Sequence, residues 1–133
     1  MEKEPYKNIL GIDLFWKYFP EKPWHYFHDV LEFKWYKEFD YEEWRDRIYL
    51  ELKMASLDGQ DIVVLKLMDA SGEGICRLNG YISGLDIINL RYESAWVETQ
   101  YELIDFEESN IHFYCNEIEI KVIAVGGKNV EFQ

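Results

Sequence analysis

From Trp24 onward, apolar and polar residues alternate with a period of two, the spacing of half-buried strands. Leu31, Phe33 and Trp35 alternate with Glu32, Lys34 and Tyr36, and Ile48, Leu50, Leu52 and Met54 alternate with Tyr49, Glu51 and Lys53. Val63, Leu65 and Leu67 repeat the pattern after a turn at Asp58-Gly59. Residues 75–78 and 85–90 are shorter runs, punctuated by Gly72, Gly74, Gly80 and Gly84. Residues 101–106 and 111–115 predict a hairpin through Glu107-Glu108-Ser109-Asn110. Ile118, Ile120, Val122 and Ala124 predict a last strand that Gly126-Gly127 ends. Ahead of the strands, residues 9–19 predict a short helix, with Leu10, Leu14 and Phe15 on one face and Pro20 as its stop.

About seven or eight short strands with short connections favour antiparallel pairing, because parallel crossovers need longer intervening segments. The expected fold is therefore mainly β with a minor α part, an antiparallel β-sandwich or open barrel with a short N-terminal helix. Residues 39–47 read either as a helical turn capped by Asp40 or as a charged loop. Gly72-Glu73-Gly74 and Gly126-Gly127 read as turns, since neither is followed by the Gly-Lys-Ser/Thr of a phosphate loop. At 133 residues, with no repeat or linker, the chain is expected to be one domain, 1–133, with an ordered core at about 8–125.

Composition narrows the function. There are 26 acidic residues against 14 Lys and Arg, a net charge of −12, and 17% of residues are aromatic. A disordered chain would be poor in aromatics. Nucleic acids and anionic membranes are captured by Lys and Arg, so neither is expected as a partner. Met1-Glu2-Lys3-Glu4-Pro5 lacks the basic-then-apolar pattern of a secretory signal, and no apolar run approaches the roughly 20 residues of a spanning helix. The expected address is cytoplasmic, with Cys76 and Cys115 reduced and buried.

The acids are unevenly spread. Residues 1–60 hold 13 acids and 9 bases, whereas residues 61–133 hold 13 acids and 5 bases. No Lys or Arg occurs from residue 92 to residue 120. Such a stretch is either a solvated face or a field that steers a basic protein partner. On the second reading Glu102, Asp105, Glu107 and Glu108 form an electrostatic rim, with Trp96 and Tyr101 as anchors. Reversing the four acids is then expected to slow association at low salt. The aromatics concentrate in the first third, among them Trp24, Tyr26, Phe33, Trp35, Phe39, Tyr41 and Trp44. They suit core packing, with Phe33 and Trp35 inward, or a protein interface, or the stacking of a sugar.

Catalytic signals are few. His25, His28 and Asp29 could begin a zinc site or a metal-dependent hydrolase, but a zinc site needs further ligands. His112 and Cys115, three apart on a strand, point to opposite faces. The plainer role for His28 and Asp29 is to bond backbone groups where the chain enters its first strand. No serine lies in a Gly-x-Ser-x-Gly context. The expectation is a non-enzymatic protein without cofactor or metal.

Phe27-His28-Asp29, Val64-Leu65-Lys66-Leu67-Met68-Asp69-Ala70, Ile111-His112-Phe113-Tyr114-Cys115 and Ile118-Glu119-Ile120 together resemble the small β-rich immunity proteins of bacterial polymorphic toxin systems, in particular the immunity protein 50 type. The resemblance covers roughly residues 8–125. It implies a cytoplasmic protein that neutralises a cognate toxin, such as a basic nuclease, by protein–protein contact, and it transfers no catalytic residue. A small-ligand or carbohydrate-binding β module is the alternative, resting on Trp24, Tyr26, Trp35 and Trp44. The sequence leaves the oligomeric state open.

Overall fold

The computed structural model describes residues 4–75, 85–93, 99–105 and 111–130. Among them, strands β1 (Phe27–Asp40), β2 (Arg45–Ser56), β3 (Ile62–Met68), β8 (Glu117–Val125) and β9 (Lys128–Asn129) form one sheet in the order β1-β2-β3-β8-β9. Strands β4 (Ser71–Ile75), β5 (Leu85–Asn89), β6 (Tyr101–Asp105) and β7 (Ile111–Cys115) form a second sheet in the order β4-β7-β6-β5. The pairings between these strands are antiparallel. Helix α1 (Ile12–Tyr18) lies near the N-terminus, and a single turn, α2 (Leu90–Glu93), follows β5. The chain is mainly β, as its period-two pattern predicts. No helix among the described residues is long and apolar enough to cross a membrane.

The two sheets share a corner. β3 pairs with β8 in the first sheet, and their continuations β4 and β7 pair in the second. Asp69-Ala70 and Asn116 make the two bends, and the Asn116 N–H donates to the Met68 carbonyl at 3.0 Å. Strands that switch sheets at a bend are how the corners of orthogonal β packings are made. Asp69 turns there with φ +58°, a left-handed conformation that Asp tolerates better than most residues.

Alternation fills the space between the sheets. Leu50, Leu52, Met54, Val63, Leu65, Leu67, Ile118, Ile120 and Val122 are buried from the first sheet. Leu85, Ile87, Tyr101, Leu103, Ile111, Phe113 and Cys115 are buried from the second. Burying each aliphatic side chain of this size is worth about 1.5–3 kcal/mol, so this one cluster dominates the stability of the fold.

Helix α1 departs from its predicted face. Leu10 is exposed and Leu14 half-buried, while Ile9, Ile12, Phe15 and Phe19 enter the core. The helix begins only at Ile12, because Leu10 is used differently: its backbone bridges β8, donating to the Ile118 carbonyl at 3.0 Å and accepting from the Ile120 N–H at 2.7 Å. Phe15 then stacks on Trp24, with ring centroids 4.9 Å apart, and Phe19 meets Phe27 edge to face.

Two further expectations are corrected. Gly72-Glu73-Gly74 is part of strand β4, with a bulge between Gly72 and Gly74, not a turn. A Cβ on Gly72 would press on the His112 carbonyl, so the glycine permits the close approach of β4 to β7. Phe33 does face Phe113 of the second sheet, but Trp35 is 47% exposed, because β1 is an edge strand that only partly overlies the second sheet.

Candidate functional site

Residues 41–44, in the segment that the sequence alone leaves between a helical turn and a charged loop, are the tip of the β1–β2 hairpin. The Asp40 carboxylate organises the tip, accepting from the backbone N–H groups of Glu42 at 2.9 Å and Glu43 at 3.2 Å. This is the local bonding that suits Asp to turns. Trp44 takes a left-handed φ of +56°, unusual for a bulky residue. The tip carries three aromatic rings in mutual contact. Phe39 meets Tyr41 at 4.9 Å and Trp44 at 5.3 Å, and Tyr41 meets Trp44 at 6.3 Å, all edge to face. Packing on one another does not hide them: Tyr41 is 77% exposed and Trp44 74%.

Beneath the tip lies a charged network that ties the hairpin to the corner between the sheets. Arg47 is buried, and its guanidinium grips Asp69 with two bonds, Nε to Oδ1 at 3.0 Å and Nη2 to Oδ2 at 2.8 Å. It also donates to Asp40 at 3.1 Å and approaches Glu117 at 3.4 Å. Arg45, nearer solvent, joins Glu43 to Asp69. The Arg47 guanidinium holds the Asp69 carboxyl below the usual carboxylate range against the opposing effect of burial. Asp40 is lowered as well, first by the Glu43 N–H and then by Arg47. One cation therefore fastens the tip, through Asp40, to both bends, through Asp69 and Glu117.

An open cleft of about 420 Å³ runs past this network, lined by Glu43, Arg45, Asp69, Arg91, Gln100 and Glu117. Arg45 is engaged by carboxylates and Arg91 donates to Gln100 at 3.3 Å, so the cleft offers an anion little. A second cleft of about 530 Å³ lies over the charged outer face of β1–β3, between Glu32, Lys34, Glu51 and Lys53.

The residues nominated from the sequence do not converge on one surface. Tyr101 and Asp105 are buried, because β6 alternates and sends residues 101, 103 and 105 inward. As placed, neither can anchor or rim a contact. Glu102 points outward but is only partly exposed, and it bonds His112 Nε2 at 2.6 Å. Trp96, Glu107 and Glu108 lie outside the described residues, as does Cys76. His28 and Asp29 lie at the start of β1, beside an irregularity in its pairing between Phe27 and Asp29.

Among the described residues, no three His, Cys, Asp or Glu side chains gather to hold a metal. His112 is half-exposed on β7 and Cys115 is buried, on opposite faces of the strand. Burial pushes the Cys115 thiol well up, the opposite of an activated nucleophile. Comparison with family models, curated proteins and solved structures finds no match to this chain. The aromatic tip thus stands on its own geometry. Its sequence signal is Phe39, Tyr41 and Trp44 within six residues, interleaved with Asp40, Glu42 and Glu43, between two strand patterns.

Proposed function

We propose that the chain is a non-enzymatic binding protein that engages a protein partner through the tip of its β1–β2 hairpin. The observation that carries this reading is the exposed cluster of Phe39, Tyr41 and Trp44 on a loop braced by Arg47. Tyr and Trp are enriched among the few residues that carry most interface energy. A braced loop also loses little conformational freedom on binding, which favours affinity. Glu38, Glu42 and Asp46 flank the rings, and the chain carries a net charge of −12, so a basic protein surface is the complementary partner. The resemblance to toxin-immunity proteins gives this reading its specific form: neutralisation of a cognate toxin, such as a basic nuclease. The alternative of a carbohydrate module gains less, since Trp24, one of the four aromatics it rests on, is buried in the core.

The test is binding to the toxin-like product of a neighbouring reading frame, together with survival of cells that express it. The wild-type chain should bind and protect. Trp44→Ala and Tyr41→Ala should each weaken binding by about 2 kcal/mol, roughly thirtyfold, with unchanged folding. Affinity unmoved by both substitutions would remove the tip from the interface, and absence of protection would remove the immunity role.

A further inference from the structure

We propose that the free edge of β1 pairs with β1 of a second copy of this chain, antiparallel, with Phe33 opposite its own counterpart. β1 is 14 residues long, and among the described residues its partner strand is β2 alone. Its middle is uncovered: Leu31 is 49% and Trp35 47% exposed. A long edge strand with exposed apolar residues is a template for another strand.

The charges favour a self-match at one register. Across the outer face, Lys34 stands opposite Glu51, Glu51 opposite Lys66, and Lys66 opposite Glu119, so the sign alternates at every strand from β1 to β8. In the neighbouring row Glu32 stands opposite Lys53. A two-fold axis through Phe33 sets Glu32 of one copy opposite Lys34 of the other, twice. The alternation then continues across the junction into the five-stranded sheet of the other copy. The same register brings the half-exposed Trp35 of one copy to the end of the match, near the bulged Leu31 of the other. Directly opposed residues have Cβ atoms about 4.5–5.5 Å apart, close enough for these pairs to act.

Neighbouring centres match less well. Centring on Glu32 or on Lys34 opposes that residue to its own charge, centring on Trp35 opposes Glu32 to Glu38, and centring on Tyr36 offsets its Lys34–Glu38 matches with Glu32–Asp40 clashes. The irregularity in β1 between Val30 and Glu32 falls on Leu31 and bends the strand at the end of the Glu32–Lys34 match. Tyr41 and Trp44 lie past the overlap of the two strands, so the pairing does not depend on the partner-binding role of the tip.

Sedimentation and light scattering test the pairing through mixed charge reversals. The wild-type chain should be a dimer. Glu32→Lys alone sets two lysines against each other at both pairs, and Lys34→Glu alone sets two glutamates against each other there. Each should raise the dimer dissociation constant at least about tenfold, with circular dichroism unchanged. In an equimolar mixture, a mixed dimer of the two variants opposes two lysines on one strand to two glutamates on the other and should form again. A monomeric wild type, single reversals that stay dimeric, or a mixture that stays monomeric would each overturn the proposal. Loss of partner binding by the Tyr41 or Trp44 variants would not bear on it.

Discussion

Arg47→Met is expected to lower stability by about 3 kcal/mol at neutral pH and to lose much of that deficit in acid. The side chain is 7% exposed and serves Asp69, Asp40 and Glu117 together. Methionine fills similar volume, so the loss comes from the charges left behind. Breaking a buried pair by removing one partner costs about 3–5 kcal/mol. The low end applies here, because Arg45 still reaches Asp69 at 3.1 Å and Glu117 is half-exposed. The pH dependence has a definite sign. Asp69 and Asp40 are held below the ordinary carboxylate value in the folded protein. Their contribution is full above the unfolded carboxylate value of about 3.9 and fades as pH falls through the folded value. In the variant the lowering by Arg47 is gone, so protonation costs it less. Urea unfolding near pH 7 and near pH 3 measures both deficits. A deficit of equal size at the two pH values would show that Arg47 acts by packing rather than by charge.

Gly11→Ala should cost about 3 kcal/mol, whereas Gly59→Ala should cost about 1. Both glycines have left-handed φ, +82° and +73°, so each variant carries the backbone penalty of a side chain there. They differ in surroundings. A Cβ on Gly59 meets nothing, but one on Gly11 runs into the backbone carbonyl of Ile120. That carbonyl belongs to the residue whose N–H bonds Leu10, so it cannot retreat without opening the bridge that ties the N-terminal segment to β8. Equal losses at the two positions, read from thermal or urea unfolding, would mean that the close approach at Gly11 is not a constraint.

Much of the β framework is legible because burial on one face leaves a period-two trace. Residues 48–54, 63–67 and 118–124 each follow their pattern into strands. The same rule reaches further than charge counting does. With Leu103 inward, alternation alone places Tyr101 and Asp105 inward too, so the charges along residues 92–120 overstate the surface they make. Other features are not legible for physical reasons. Trp35 alternates like a core residue, yet its exposure depends on how far the second sheet extends over an edge strand. Leu10 is as apolar as Ile9, but a backbone bridge to a strand more than 100 residues away in sequence takes it from the helix. The grip of Arg47 on Asp69 needs the β2–β3 register and the bend after β3, and neither leaves a local signal.

The bridge from Leu10 to β8 also orders events during synthesis. Phe15, Phe19, Trp24 and Phe27 emerge early, but the strand that receives their segment begins at Glu117. Until then the N-terminal aromatics lack part of their final cover while β1, β2 and β3 can already pair as consecutive hairpins. Contacts between distant segments form late and slowly, and apolar surface exposed meanwhile invites aggregation. Chains stalled before residue 117 should therefore be the ones that holdase chaperones capture.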